Sequence, residues 1–185
     1  MRALKTTRFD HRERRILACL DAAIRTPRAH ERLEAAAGRV QAALHRDPKA
    51  RMAWEAVPLD IFGDALPKTL RSSWVFILRR GVTTGAERHP NSHQRTLSWK
   101  GCGDLQVMDG TTWRSHRLAS DPAGSLEGRW LSIPPSTWHQ VVVPGDDWVV
   151  VSFHTAPAEA LLEERPDPAD PGLNRRQGYA AAGAS

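Results

Sequence analysis

The chain has 185 residues, 41% of them hydrophobic and 25% charged, the composition of one globular domain able to bury a real core. No apolar run reaches bilayer-spanning length, and the basic first 15 residues lack the apolar centre of a secretory leader, so a cytoplasmic protein without a membrane partner is expected. The formal charge of +5 lies largely at the ends (Arg2, Lys5, Arg8, Arg175, Arg176) and comes without a zinc-finger, RNP-like or helix-turn-helix pattern, which favours a solvated basic surface over nucleic-acid binding. Cys19 and Cys102 are too few for a disulfide framework and read as buried or half-buried thiols.

The first third reads as helices. Asp10 can cap a helix running through Leu17 and Leu20, with Glu13 at the capping-box position. That helix should stop near Thr26, where Pro27 opens the next as an N1 proline. The second carries Leu33, Ala37, Val40 and Leu44 on one face, a stripe that suits packing against a core. Asp47-Pro48 looks like the cap of a short third helix through Ala53.

From about Ser72 the period changes to two. Trp74, Phe76 and Leu78 alternate with Val75 and Ile77, and Leu97 with Trp99, then Leu105 with Val107, repeat the pattern. Further runs cover 112–118, 130–133, 138–143 and 147–154, separated by turns at Gly81, Gly101, Gly103, Asp109-Gly110, 122–124 and Pro144-Gly145. Many short strands at this spacing indicate a sandwich or barrel. The expected organisation is a helical segment over residues 1–56, an all-β barrel over 57–162, and a proline-bearing flexible tail over 163–185. Six of the seven tryptophans fall in predicted strands, where they should serve mostly as core or rim packing.

Two stretches carry the chemistry. In 81–101, Glu87 and His89 stand two apart, so on a strand both point to one side, a carboxylate and an imidazole that suit a divalent metal. Alone, they would read as a solvated ion pair. In 128–145, His139 sits in an apolar strand after a proline-rich turn, and a buried imidazole needs hydrogen bonds or a metal. Alone, it would read as a satisfied core histidine.

Taken together, the stretches resemble the two motifs of the cupin superfamily. Gly81, five residues, Glu87, one, His89, four, Gln94, six and Gly101 follow the spacing of the first; Gly128, five, Pro134, one, Ser136, two, His139, three and Val143 follow the second. The identities differ at Glu87, where the family usually has His, at Gln94 (Glu), at Ser136 (Gly) and at Val143 (Asn). The string from Glu87 to Gln94, with helices ahead of the barrel, is similar to the thiol dioxygenase branch, cysteine dioxygenase included. Ser152 and His154 resemble the start of that branch's Ser-His-Tyr set, with Ala156 in the Tyr position. Gln94 stands where that branch carries its crosslinking Cys, so a Cys–Tyr cofactor is excluded.

The resemblance implies an all-β jelly-roll barrel with Glu87, His89 and His139 as metal ligands, two histidines and a carboxylate being typical of non-haem Fe(II). Zinc, manganese, nickel and copper are alternative ions. Gln94 would be a weak fourth ligand or a donor to Glu87, and His93 a rival ligand. His154, Gln94 and Arg95 are the candidate catalytic groups, and Arg79, Arg95 and Arg71 the candidates for a substrate-carboxylate arginine. The implied activity is a dioxygen-dependent oxygenase acting on a small organic molecule such as a thiol. The alternatives are a non-catalytic ligand-binding or sensory cupin and, more weakly, an isomerase of sugar-like compounds. A homodimer is a further expectation.

Overall fold

A computed structural model describes residues 9–170 and 172–178; Arg2, Lys5 and Arg8 of the basic N-terminus and the last seven residues of the tail lie outside the described residues. Helix α1 (His11–Ile24) starts where Asp10 accepts a hydrogen bond from Glu13 N at 2.7 Å. Helix α2 (Pro27–Arg46) follows with Thr26 as N-cap and Pro27 at its first turn. Both bury one face, α1 through Leu17, Leu20 and Ile24, and α2 through Leu33, Val40 and Leu44.

The expected third helix is absent. Asp47 instead accepts from Lys49 N and Ala50 N in a turn, and strand β1 (Met52–Val57) follows. Its residues pair antiparallel with β2 (Ser72–Leu78), so sheet pairing overrides the weak capping signal. The barrel therefore begins before residue 57. Arg79 secures this corner by donating to the carbonyls of Leu44, Asp47 and Ala50, which removes it as a substrate-binding group, and Arg71 is exposed.

The remaining strands are β3 (Gln94–Lys100), β4 (Cys102–Asp109), β5 (Thr112–Arg114), β6 (Arg117–Ala119), β7 (Trp130–Ile133), β8 (His139–Val142), β9 (Trp148–His154), β10 (Leu162–Pro166) and β11 (Asn174–Gly178). A one-turn helix α3 (Leu126–Arg129) precedes β7. One sheet has the order β1-β2-β9-β3-β7; in the other, β4 pairs with β8 along one edge and with β5 and β6 along the opposite edge. Every pairing is antiparallel. The fold is thus an all-β barrel of antiparallel sheets preceded by a helical segment, as expected.

The five-stranded sheet is covered on both sides, which explains why β2 and β9 are buried at every position. Val75, Ile77, Val149, Val151 and Phe153 face the helices. Trp74, Phe76, Leu78, Trp148 and Val150 face the second sheet. Gly103 in β4 permits that closure, because a Cβ there would stand 2.2 Å from the Trp148 ring. The tail is more ordered than its prolines suggest: β10 and β11 form a hairpin whose Glu164 bridges back to Arg88. Cys102 is exposed, not half-buried. No helix among the described residues is long and apolar enough to cross a membrane.

Candidate metal centre

The centre lies where segment 87–89 is held between two neighbours. Glu87 exchanges both backbone hydrogen bonds with His139 (2.9 and 2.8 Å), and Arg88 exchanges both with Glu164 (3.0 and 2.9 Å). Backbone pairing thus sets Glu87 opposite His139, and the two-residue step carries His89 to the same side. Glu87, His89 and His139 each offer one ligand atom, all within 4.8 Å of one another.

The imidazoles are oriented by the backbone. His89 Nδ1 lies 2.9 Å from the Leu162 carbonyl and His139 Nδ1 lies 3.0 Å from the Thr137 carbonyl. A carbonyl can only accept, so Nδ1 carries the proton in both rings and the Nε2 lone pair is the one offered to a metal. His139 Nε2 is buried without a hydrogen bond and faces Glu87 Oε1 at 3.5 Å. Ligand atoms around one ion sit about 3–3.5 Å apart, given bonds of roughly 2.0–2.2 Å. The set fits a divalent ion after its longest separation contracts by roughly 1–2 Å.

The electrostatics suit a cation. Burial acts to raise the Glu87 carboxyl, but the facing His139 ring and the charges of Arg165 and His89 outweigh it and hold the group at about 2. Burial lowers His89 to about 4, with the neighbouring His139 adding to the effect, so its ring is neutral and ligand-competent at pH 7. Burial also pushes His154 well below its ordinary value.

Arg165, from β10, was not anticipated from the sequence. It donates to Glu87 Oε2, to Glu163 Oε1 at 2.7 Å and to the Thr84 carbonyl at 3.2 Å. One guanidinium thus joins two carboxylates, which leaves a net negative charge beside the imidazoles. The signal was faint: Glu163, Glu164 and Arg165 form a short charged run inside a segment read as a flexible tail.

The other predicted site residues separate into two groups. Gln94 and Ser152 line a cavity that also touches Glu87 and His139. His154 does not line it. The ring is fully buried behind Ser152, with Nε2 3.2 Å from Ser152 Oγ and Nδ1 3.4 Å from Ser92 Oγ, and packs edge-on against His89 at 5.1 Å. It supports His89 rather than touching a substrate.

Arg95 and His93 lie elsewhere. Arg95 follows Gln94 on β3 and so points to the opposite face, where it binds both oxygens of Glu13 at 2.6 and 2.9 Å. His93 Nε2 meets Ser132 Oγ at 2.7 Å, and the Ser132 hydroxyl donates to Glu13 at 2.6 Å. The turn at 90–93 breaks the strand parity that made His93 a rival ligand. Arg95 as a catalytic or carboxylate-binding group, and His93 as a ligand, are both overturned.

Ser136 explains one departure from the cupin pattern. It is the non-glycine residue with positive φ (61°) among the described residues, and its N–H donates to the His89 carbonyl at 3.0 Å. The turn needs a left-handed residue, the conformation glycine adopts without steric penalty. Val143 is fully buried in the barrel core, where it occupies the place of the family's Asn.

No protein-family model matches this chain, and no curated protein matches its sequence. Solved structures do show similarity. The oxalate decarboxylase of Lactobacillus farciminis in its formate complex shares 16% identity over 58% of this chain and 29% of its own, with a TM-score of 0.45. The capsular polysaccharide assembling protein CapF of Staphylococcus aureus shares 17% over 49% and 24%, with a TM-score of 0.42. Pumpkin seed globulin shares 17% over 51% and 23%, with a TM-score of 0.43. The chain spans less than a third of each, and the fold assignment rests on its own sheets.

Proposed function

We propose that the protein is a metal-dependent cupin that holds one divalent ion, Fe(II) first among the candidates, on Glu87, His89 and His139, and acts as an oxygenase on a small organic molecule. The observation that carries this reading is the pair of imidazoles whose Nδ1 atoms are committed to backbone carbonyls, with His139 Nε2 facing Glu87 and a ligand atom of each of the three residues within 4.8 Å of the others. A bound ion of this type supplies the redox and Lewis-acid chemistry.

The chain's own residues supply the rest. Arg165 fixes Oε2 of Glu87, which leaves Oε1 for the ion. His154 backs the His89 ring, and the Leu162 carbonyl sets its rotation. Phe76, Leu78 and Val150 give the cavity beside Glu87 and His139 an apolar wall. The thiol dioxygenase version gains nothing from Arg95, which serves Glu13.

A second reading, a ligand-binding cupin without turnover, is favoured by the departures at Gln94, Ser136 and Val143. Elemental analysis of the wild type beside Glu87→Ala and His139→Ala, followed by oxygen-uptake assays, separates the two. Iron near one per chain, lost in both variants, with oxygen consumed, is the expected result. A wild type that takes up no metal on reconstitution with Fe(II) would end the metal-dependent reading.

A further inference from the structure

The cavity beside Glu87 and His139 has a chemistry of its own. It is small, about 40 Å³ of space open to water, which suits a ligand of only a few heavy atoms. Its wall follows from strand alternation, since β2 contributes Phe76 and Leu78, β8 Val141 and β9 Val150, each on the barrel side. The wall is therefore aliphatic and aromatic over most of its extent.

At the polar end stands Gln94. Its amide Nε2 donates to Thr96 Oγ1 at 3.0 Å, so the orientation of the side chain is set. Its Oε1 is buried with no hydrogen-bond donor. A buried carbonyl oxygen left in that state costs free energy, which a donor on a ligand would recover.

Among the described residues no arginine or lysine lines this cavity. Arg165, which holds the lining Glu87, is committed to Glu87 and Glu163, and Arg95 lies across the sheet. In the metal-free protein an anionic ligand would meet Glu87 and an acceptor oxygen with no lining arginine or lysine to compensate.

We infer that the site takes a small neutral molecule with an alkyl body and an N–H or O–H donor, and discriminates against carboxylates, including amino acids. The preference belongs to the cavity of the metal-free protein; taking it as the substrate class of the proposed metal site rests on that reading. The alkyl part lies against Phe76, Leu78 and Val150, and the donor meets Gln94 Oε1.

Propionamide and propionate, matched in size and differing in charge and donor, are the probes. Their binding to metal-free protein is measured by NMR titration, for the wild type, Gln94→Met and the cavity-filling Val141→Phe. Propionamide should bind at least about tenfold tighter than propionate, Gln94→Met should weaken it about tenfold, and Val141→Phe should abolish binding of both. Equal or tighter binding of propionate overturns the inference, as does a Gln94→Met protein, folded by circular dichroism, that keeps wild-type affinity. Unchanged amide affinity with metal lost in Gln94→Met, read by chelator competition, would instead make Oε1 a metal ligand and also overturn it. The proposed function fails separately: propionamide bound with the expected preference by a protein that takes up no iron leaves the cavity chemistry standing and removes only the metal.

Discussion

Two half-buried carboxylates, Glu13 and Glu87, stand on opposite sides of the same sheet. Each has a guanidinium and a histidine for company, and the details differ. Glu13 has both oxygens satisfied, by two hydrogen bonds from Arg95 and one from Ser132, with His93 closing the chain behind Ser132. Glu87 has only Oε2 held, by Arg165, while Oε1 faces His139 Nε2 at a distance too long for a good hydrogen bond. A carboxylate with both oxygens satisfied locks helix to sheet, although Arg95 Nη1 is itself buried without a hydrogen bond; a carboxylate with one oxygen open beside an imidazole nitrogen offers a place for an ion. Residue type does not separate the two clusters, whereas the state of their carboxylate oxygens does.

The largest expected effect tests the structural side. Glu13→Ala strands Arg95, only 5% exposed at its side chain, without its partner, and should cost about 3–5 kcal/mol in urea unfolding. Metal content should stay at the wild-type level. A loss of metal in this variant would break the comparison.

The functional side responds differently. Glu87→Gln should weaken metal binding by more than about 100-fold in chelator competition, since removing an outer partner alone typically costs 10–100-fold. An unchanged affinity would remove Glu87 from the ligand set.

Acid sharpens the contrast. Burial acts to raise Glu13, but hydrogen bonds from Arg95 and Ser132, with the charges of Arg95 and His93, outweigh it and hold the carboxyl below its ordinary 4.5. Its folded value is depressed, so its contribution to stability is fully present above 4.5 and is lost as the pH falls through the lower folded value. Glu13→Gln should lack this part of the acid destabilisation, which unfolding curves from pH 6 downwards would reveal.

The smallest effect belongs to the turn beside the metal centre. Ser136→Gly relieves a left-handed backbone and should add about 1 kcal/mol of stability without altering metal affinity. A destabilised Ser136→Gly would show that the serine side chain has a role its backbone does not explain.

Much of this was legible in the residues. Period-two runs gave β2, β7 and β9 nearly to the residue, and Asp10, Thr26 and Pro27 marked both helix starts, because caps and strand alternation are local properties. The resemblance at the two motifs named Glu87, His89 and His139, which the fold brings together. Alternation also held an unused warning: adjacent residues on a strand face opposite ways, so Gln94 and Arg95 could not both enter the barrel.

What only the tertiary structure decided are the partners distant in sequence. Arg165 reaches Glu87 across 78 positions and Arg95 reaches Glu13 across 82. β1 exists because β2 offers it an edge, and β10 is fixed by Arg88 and Glu164. By itself the sequence determined most of the elements, which depend on neighbours within a few residues, and the spacing of two motifs marked Glu87, His89 and His139 as the candidate triplet. Which carboxylate would be saturated and which left open to a metal depended on which face of the sheet each strand presented, and that is settled only when the whole barrel closes.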